Sequence, residues 1–221
     1  MNERKEINIT YLLENNNYSN IKQLIEIFSN LKSRNIKNIT IDDSPNISNT
    51  IYLKILKYLK YAGFNLELKN YGTDITKRND ILHYFDTVRL EIDTNDEEVL
   101  EKMNNNKEQY KINMNNYNYL KNCYKNISIG IDTYFTKLNF RNLGDMYNLI
   151  KDLDIDSWNI LYTSDIKIDE EYLLSKEMIN SIIDFYNSTD LTDKLNSVTK
   201  DESKMMIKRN KIIPYKLLTI Y

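Results

Sequence analysis

The residues of this chain best suited to chemistry are its carboxylates. Glu91 and Asp93 stand two apart in Val88-Arg89-Leu90-Glu91-Ile92-Asp93. Alternate strand residues share a face, so both are expected on one side of a sheet. With Leu90 and Ile92 packed outward against helices, Glu91 and Asp93 face inward, where an ionised carboxylate requires a partner. Arg89 is read as facing the other way, and so as no partner for Glu91. Asp132 ends another apolar strand, and Asp42-Asp43 ends a third. Glu91, Asp93, Asp132 and Asp42 together could bind a divalent metal through oxygen, as hard cations prefer. Adjacent carboxylates in a loop more commonly cap a helix or stay solvated, which is the expectation for Asp42 and Asp43. His83, the one histidine, has no identifiable partner for acid–base work. Cys123, the one cysteine, falls in a helical stretch and is expected as a packed or half-exposed thiol.

Short β-rich runs alternate with helical periods along the chain. Strands are expected over residues 7–13, 38–41, 65–69, 87–92, 127–132 and 157–162. Between them, apolar residues recur at helical spacing. Phe28 and Leu31 share one such face, and Tyr52, Ile55, Leu56 and Leu59 share another that stops near Gly63. Shorter helices are expected over 76–84 and 96–103. A longer one carries the stripe Tyr110, Met114, Tyr117, Leu120 and Tyr124. Lysines flank these tyrosines, but their helical spacing marks a core stripe rather than a stacking surface for single strands. Two more helices cover 142–153 and 170–187. Residues 190–208 are charged and poorly periodic and are expected to be partly helical. Residues 211–221 end in an apolar run that could dock as a strand.

Strict alternation of strand and helix implies a parallel sheet with right-handed crossovers. Six repeats fit either part of a closed barrel or an open doubly wound sheet. Both put functional loops at the carboxyl ends of the strands. The candidate loops follow Leu13, Ile41, Lys69, Ile92, Asp132 and Tyr162.

Composition narrows the partners. The 221 residues are 41% hydrophobic and 28% charged, which suits a globular chain with a sizeable core. A net charge of −2 supplies no electrostatic reason for nucleic acid. No apolar run approaches the roughly 18 residues of a membrane span. A single cysteine excludes an internal disulfide framework, and with no secretory core near the start the expected location is the cytoplasm. The wealth of Asn, Lys, Ile and Tyr reads as compositional bias.

The order of loops resembles the radical S-adenosylmethionine (SAM) family of six-stranded partial barrels. That family leads from its first strand into CxxxCxxC, whose thiolates hold a [4Fe–4S] cluster. Here the equivalent stretch is Leu13-Glu14-Asn15-Asn16-Asn17-Tyr18-Ser19, with no thiol and no imidazole. Asp42-Asp43-Ser44-Pro45 falls at the family's GGEP turn, which contacts the amino group and carboxylate of SAM. The proline is kept and both glycines are lost. Asn70-Tyr71-Gly72-Thr73 resembles the TNG-type loop. The strand end at Glu91-Ile92-Asp93 resembles the family's "SlD" end, with Glu91 in the serine's place. Asp156-Ser157-Trp158-Asn159-Ile160 resembles the sixth strand of peptide-modifying members.

The resemblance implies an α/β fold: a six-stranded parallel (β/α)6 partial TIM-like barrel over residues 1–187. A short C-terminal extension, 188–221, packs on it. It implies a degenerate member without a cluster, a pseudoenzyme acting as a binding or partner protein in a peptide-modification system. Its partner would be a peptide or an active radical SAM protein, not nucleic acid or membrane. No cofactor is expected, although residual SAM binding is compatible with vestigial pocket positions at Asp42, Asp43, Ser44, Asn70, Gly72, Glu91 and Asp93. The alternative is a non-radical enzyme that uses Glu91, Asp93 and Asp132 with a divalent metal on a small polar substrate.

Overall fold

Strand residues here alternate between an apolar face and a polar one, and that alternation sets the architecture. The computed structural model describes residues 6–8, 21–34, 36–43, 49–104, 106–162, 172–188 and 195–200. Its strands are β1 (Glu6–Asn8), β2 (Asn38–Asp42), β3 (Asn65–Asn70), β4 (Thr87–Glu91), β5 (Ser128–Phe135), β6 (Ser157–Tyr162) and β7 (Leu195–Lys200). The helices are α1 (Ile21–Ser33), α2 (Asn49–Tyr61), α3 (Asn79–Leu82), α4 (Glu97–Asn104), α5 (Gln109–Cys123), α6 (Leu143–Asp152) and α7 (Lys176–Ser188). Single 3-10 turns at Ile75–Lys77 and Phe140–Asn142 precede α3 and α6.

All seven strands run parallel and lie in chain order from β1 at one edge to β7 at the other. That order decides between the two architectures. A doubly wound sheet reverses its strand order at a switch point. A monotonic order with right-handed crossovers keeps every helix on one face and curls the other inward as a partial barrel. The core confirms this layering. Ile39, Ile41, Leu66, Leu68, Val88, Leu90, Ile131, Trp158 and Ile160 pack with Phe28, Leu56, Leu59, Leu120 and Ile150 of the helices. Burying each aliphatic side chain of this kind stabilises the fold by roughly 1.5–3 kcal/mol.

The opposite face of the sheet is polar. Its register lines up Asp42, Lys69, Arg89, Gly130 and Ser157, and beyond them Glu91, Asp132 and Asn159. The barrel lumen is therefore lined by charge and amide rather than filled with aliphatic layers.

Two local features fix the helices. In α2, Tyr52, Ile55, Leu56 and Leu59 are all buried. The helix stops because Gly63 takes φ +82°, which costs glycine little. Gly63 N then donates to Lys60 O and Phe64 N to Leu59 O, a Schellman cap. In α5, Tyr117 and Leu120 are buried as the stripe predicts, with Tyr110, Met114 and Tyr124 partly so.

Several expectations change. The sheet has seven strands, not six. Residues 195–200, expected in a partly helical tail, form β7 within the extension and pair with β6. The Leu195-Asn196-Ser197-Val198-Thr199 run, with two β-branched residues, suits a strand. Its pairing shifts register at Trp158/Asn159. The expected helix over 76–84 is a 3-10 turn followed by the four-residue α3. Cys123 is exposed, as the last residue of α5. His83 follows α3 on the surface and stacks on Tyr84. The stretch Leu13–Ser19, Ser44 and Pro45, and the apolar run 211–221 lie outside the described residues.

Candidate functional site: the polar mouth and lumen of the barrel

The carboxyl ends of β2, β3 and β4 converge on one hydrogen-bonded network. Asp42 and Asp43 are both buried, which overturns the expectation of solvated or capping carboxylates. Asp42 is the last residue of β2, and Asp43 follows it at the sheet's rim. Asp43 Oδ1 accepts from Arg78 Nη1 at 2.8 Å. Its Oδ2 accepts from Thr73 Oγ1 and, at 3.4 Å, from Asn70 Nδ2. Asp42 Oδ1 accepts from the Tyr71 hydroxyl at 2.6 Å. Asn70 closes its own turn: its Nδ2 donates to Thr73 O at 2.9 Å, and its Oδ1 accepts from Gly72 N at 3.0 Å.

Gly72 is required where it stands. It takes φ +102°, and a Cβ there would lie 2.8 Å from Gln109 Cγ. That contact brings α5 into the site. Gln109, Asn113 and Asn116 are 2%, 0% and 0% exposed, deeper than most of the apolar stripe beside them. Gln109 Nε2 donates to Glu91 Oε1 at 3.1 Å and to Tyr71 O at 3.3 Å. Asn113 Nδ2 donates to Glu91 O at 2.6 Å. Asn116 Nδ2 donates to Thr73 O at 2.8 Å, and its Oδ1 accepts from Ile75 N at 3.2 Å. The amide row was missed by the sequence reading, which followed the tyrosines. Its signal was present as amides at positions i, i+4 and i+7.

Glu91 and Asp93 are inward and buried as expected. Asp93 Oδ1 accepts from Tyr134 N at 2.7 Å, and its carbonyl accepts from Asn139 Nδ2 at 2.9 Å. Asp93 thus clamps the ends of β4 and β5 together.

Arg89 corrects the sequence reading. Positions 89, 91 and 93 share parity, so Arg89 faces the lumen with them. Its Nε donates to Asp132 Oδ1 at 2.6 Å, Nη1 to Ser157 Oγ at 3.0 Å, and Nη2 to Ile131 O at 3.1 Å. Asn159 Nδ2 donates to the same Asp132 oxygen at 2.9 Å. Gly130 makes room for this guanidinium: a Cβ there would fall 2.5 Å from Arg89 Nη1.

These commitments bear on metal chemistry. Glu91 is held by Gln109, Asp93 by Tyr134, Asp132 by Arg89, and Asp42 by Tyr71. Among the described residues no group of three or more His, Cys, Asp or Glu is placed to hold a metal ion. The alternative of a divalent ion shared by Glu91, Asp93 and Asp132 therefore finds no assembled ligand set.

Two donors at the mouth stand apart. The Tyr52 hydroxyl and Arg78 Nε are buried without a hydrogen-bond partner among the described residues. Arg78 lies over the Tyr52 ring, 5.8 Å from its centroid. Burial, and next the Asp43 carboxylate, push the Tyr52 phenol well above its usual pKa, so it stays a neutral donor.

No family model matches the sequence, and no curated protein matches it. Solved structures do match the fold. The chain is similar to TYW1 solved with a lysine–pyruvate adduct bound, with TM-score 0.51 and 16% identity, over 76% of this chain and 59% of that one. It is similar to SuiB of Streptococcus suis with TM-score 0.58 and 14% identity, over 87% of this chain and 45% of that one. The chain thus spans less than two thirds of either protein. Both likenesses show the fold alone, a parallel α/β partial barrel.

Proposed function

We propose that this chain is a radical SAM-fold protein that holds no iron–sulfur cluster and acts as a binding or partner protein in a peptide-modification system. One observation carries the reading. A [4Fe–4S] cluster in this fold is bound by three thiolates, because soft sulfur suits iron–sulfur chemistry. The chain has a single cysteine, and Cys123 is exposed at the end of α5 rather than in the loop after β1. The residues present do not fit the cluster, and no step is assigned to it. The peptide-modifying setting comes from the sequence resemblance at residues 156–160.

The mouth supports the same reading. Positions that would receive SAM already hold hydrogen bonds within the protein: Asp43 to Arg78, Thr73 and Asn70, Asp42 to Tyr71, and Glu91 to Gln109. Two carboxylates at the turn also repel a substrate carboxylate. A ligand would have to break these buried bonds, each of which costs about 1–3 kcal/mol to leave unmade.

Calorimetric titration with SAM and with S-adenosylhomocysteine tests the closed pocket. The expected result is no heat of binding. Micromolar binding by iron-free protein would show that the pocket persists and that the chain uses the nucleoside without radical chemistry.

A further inference from the structure

The second feature lies at the opposite end of the barrel from the mouth. Helices α1 and α2 run back from the strand ends, so their C-termini meet at the base. Between them is a groove of about 410 Å³. Its floor is Phe28, 1% exposed, whose ring centroid is 6.1 Å from that of Tyr58. One wall is Tyr61, which is 93% exposed. Ile25, one turn before Ser29 on α1, is 38% exposed and continues the apolar edge. An exposed aromatic beside an apolar slot has a cost in water and marks a contact surface.

Charge identifies the occupant. From α1 through the start of β2 to the end of α2, the exposed charged residues described are Lys32, Arg34, Lys37, Lys54 and Lys57, with Glu26 the one carboxylate among them. Lys32 lines the groove, and Lys54 and Lys57 stand one turn before its Tyr58 and Tyr61, so on a chain of net charge −2 its rim is basic despite Glu26 and the Asp86 that Lys60 holds. Its complement is an acidic ligand.

The groove's own polar atoms narrow the class further. Ser29 Oγ donates to Ile25 O at 2.8 Å, and Ser33 Oγ donates to Asn30 O at 2.8 Å. Each hydroxyl has spent its proton on its own helix and offers lone pairs to a ligand, those of Ser29 shared with the Tyr58 hydroxyl at 3.4 Å. Backbone N–H groups of a peptide can use such acceptors. Phosphate oxygens cannot. Lys32 Nζ, bonded to Ala62 O at 2.5 Å, bridges the two helix ends and places a cation at the groove.

We infer that the groove between α1 and α2 binds an acidic peptide segment, with one bulky apolar side chain seated over Phe28 and against Tyr61 and flanking Asp or Glu residues facing the lysines. This follows a groove-and-anchor mode of peptide recognition. It rests on the partner role proposed above and names the surface for it, away from the mouth.

The test is fluorescence anisotropy with a labelled peptide of Asp and Glu around a central Trp, on the whole chain. Two control peptides replace the Trp by Ser or the acids by Lys. The Trp-acid peptide is expected to bind, more tightly at low salt, and the controls are not. Tyr61→Ala and Lys57→Glu are each expected to weaken binding about tenfold. Both residues are exposed, so an unchanged thermal midpoint shows that the fold is intact. No binding of the Trp-acid peptide overturns the inference, as does binding that neither variant alters. Tighter binding of an oligouridylate or of phosphatidylserine vesicles, lost in the same variants, also overturns it in favour of a phosphate surface. Absence of peptide binding with no cluster formed removes this surface alone. Formation of a cluster removes the partner role.

Discussion

Two buried Arg–Asp pairs hold the polar side of this sheet, and they are built differently. In the lumen, Arg89 and Asp132 are 5% and 2% exposed. Arg89 has an acceptor for each of its nitrogens, and Gly130 has been kept small beneath it. At the mouth, Arg78 and Asp43 are 22% and 2% exposed. There, Arg78 Nε and the adjacent Tyr52 hydroxyl find no acceptor among the described residues. The first pair is closed architecture that joins β4, β5 and β6. The second lies where water can reach and leaves donors unspent. The difference is one of completeness: the lumen pair is a closed strut, while the mouth pair leaves two donors without acceptors among the described residues.

Substitutions sharpen that contrast. Arg89→Met strands Asp132 with Asn159, and loss of one partner of a buried pair costs about 3–5 kcal/mol. Thermal unfolding should fall by about 10 °C or more in a chain of this length. The double variant Arg89→Met/Asp132→Leu should recover much of it, since a buried pair is often replaceable by apolar packing. Gly130→Ala comes next. Its Cβ would displace the guanidinium, and overpacking of this kind costs about 1–3 kcal/mol. In urea it should lower the midpoint without changing the slope. Asp43→Asn keeps the shape and removes the charge opposite Arg78. Water reaches this arginine, so the loss should stay nearer 1 than 3 kcal/mol.

The smallest effect should come from Tyr52→Phe. Removing a buried hydroxyl without a partner should be neutral or stabilise by up to about 1 kcal/mol. Its signature is in alkali. The folded pKa of Tyr52 lies above the unfolded one, near 10.0. Its contribution is complete below that value and is lost as pH rises through the folded pKa. The Phe variant should therefore lose less stability than the parent above about pH 10. A Tyr52→Phe loss as large as that of Arg89→Met would erase the distinction between the two regions.

The strands and most helices were legible because their apolar positions repeat at two or at three to four residues. The lumen was partly legible. Parity placed Glu91 and Asp93 inward, and the same rule, applied to Arg89, places it beside them. The pairing itself was not legible, since Asp132 is 43 residues away and meets Arg89 only through the register of β4 on β5. The amide row of α5 was hidden by its tyrosines, because amides carry no apolar signal. The burial of Asp42 and Asp43 could not be read locally. It depends on Arg78, Thr73 and Tyr71, which follow the next strand. The seventh strand was obscured by a charged segment whose strand character comes from pairing with β6. The groove of α1 and α2 passed unseen because its lysines read as an ordinary solvated face.

The central proposal is that this partial barrel holds no iron–sulfur cluster. Anaerobic reconstitution with iron and sulfide, followed by iron and sulfide analysis and absorbance near the thiolate charge-transfer band, tests it most directly. The account predicts iron well below one atom per chain after desalting, no such band, and no 5′-deoxyadenosine from SAM under reductant. Stoichiometric iron and sulfide with SAM cleavage would contradict it.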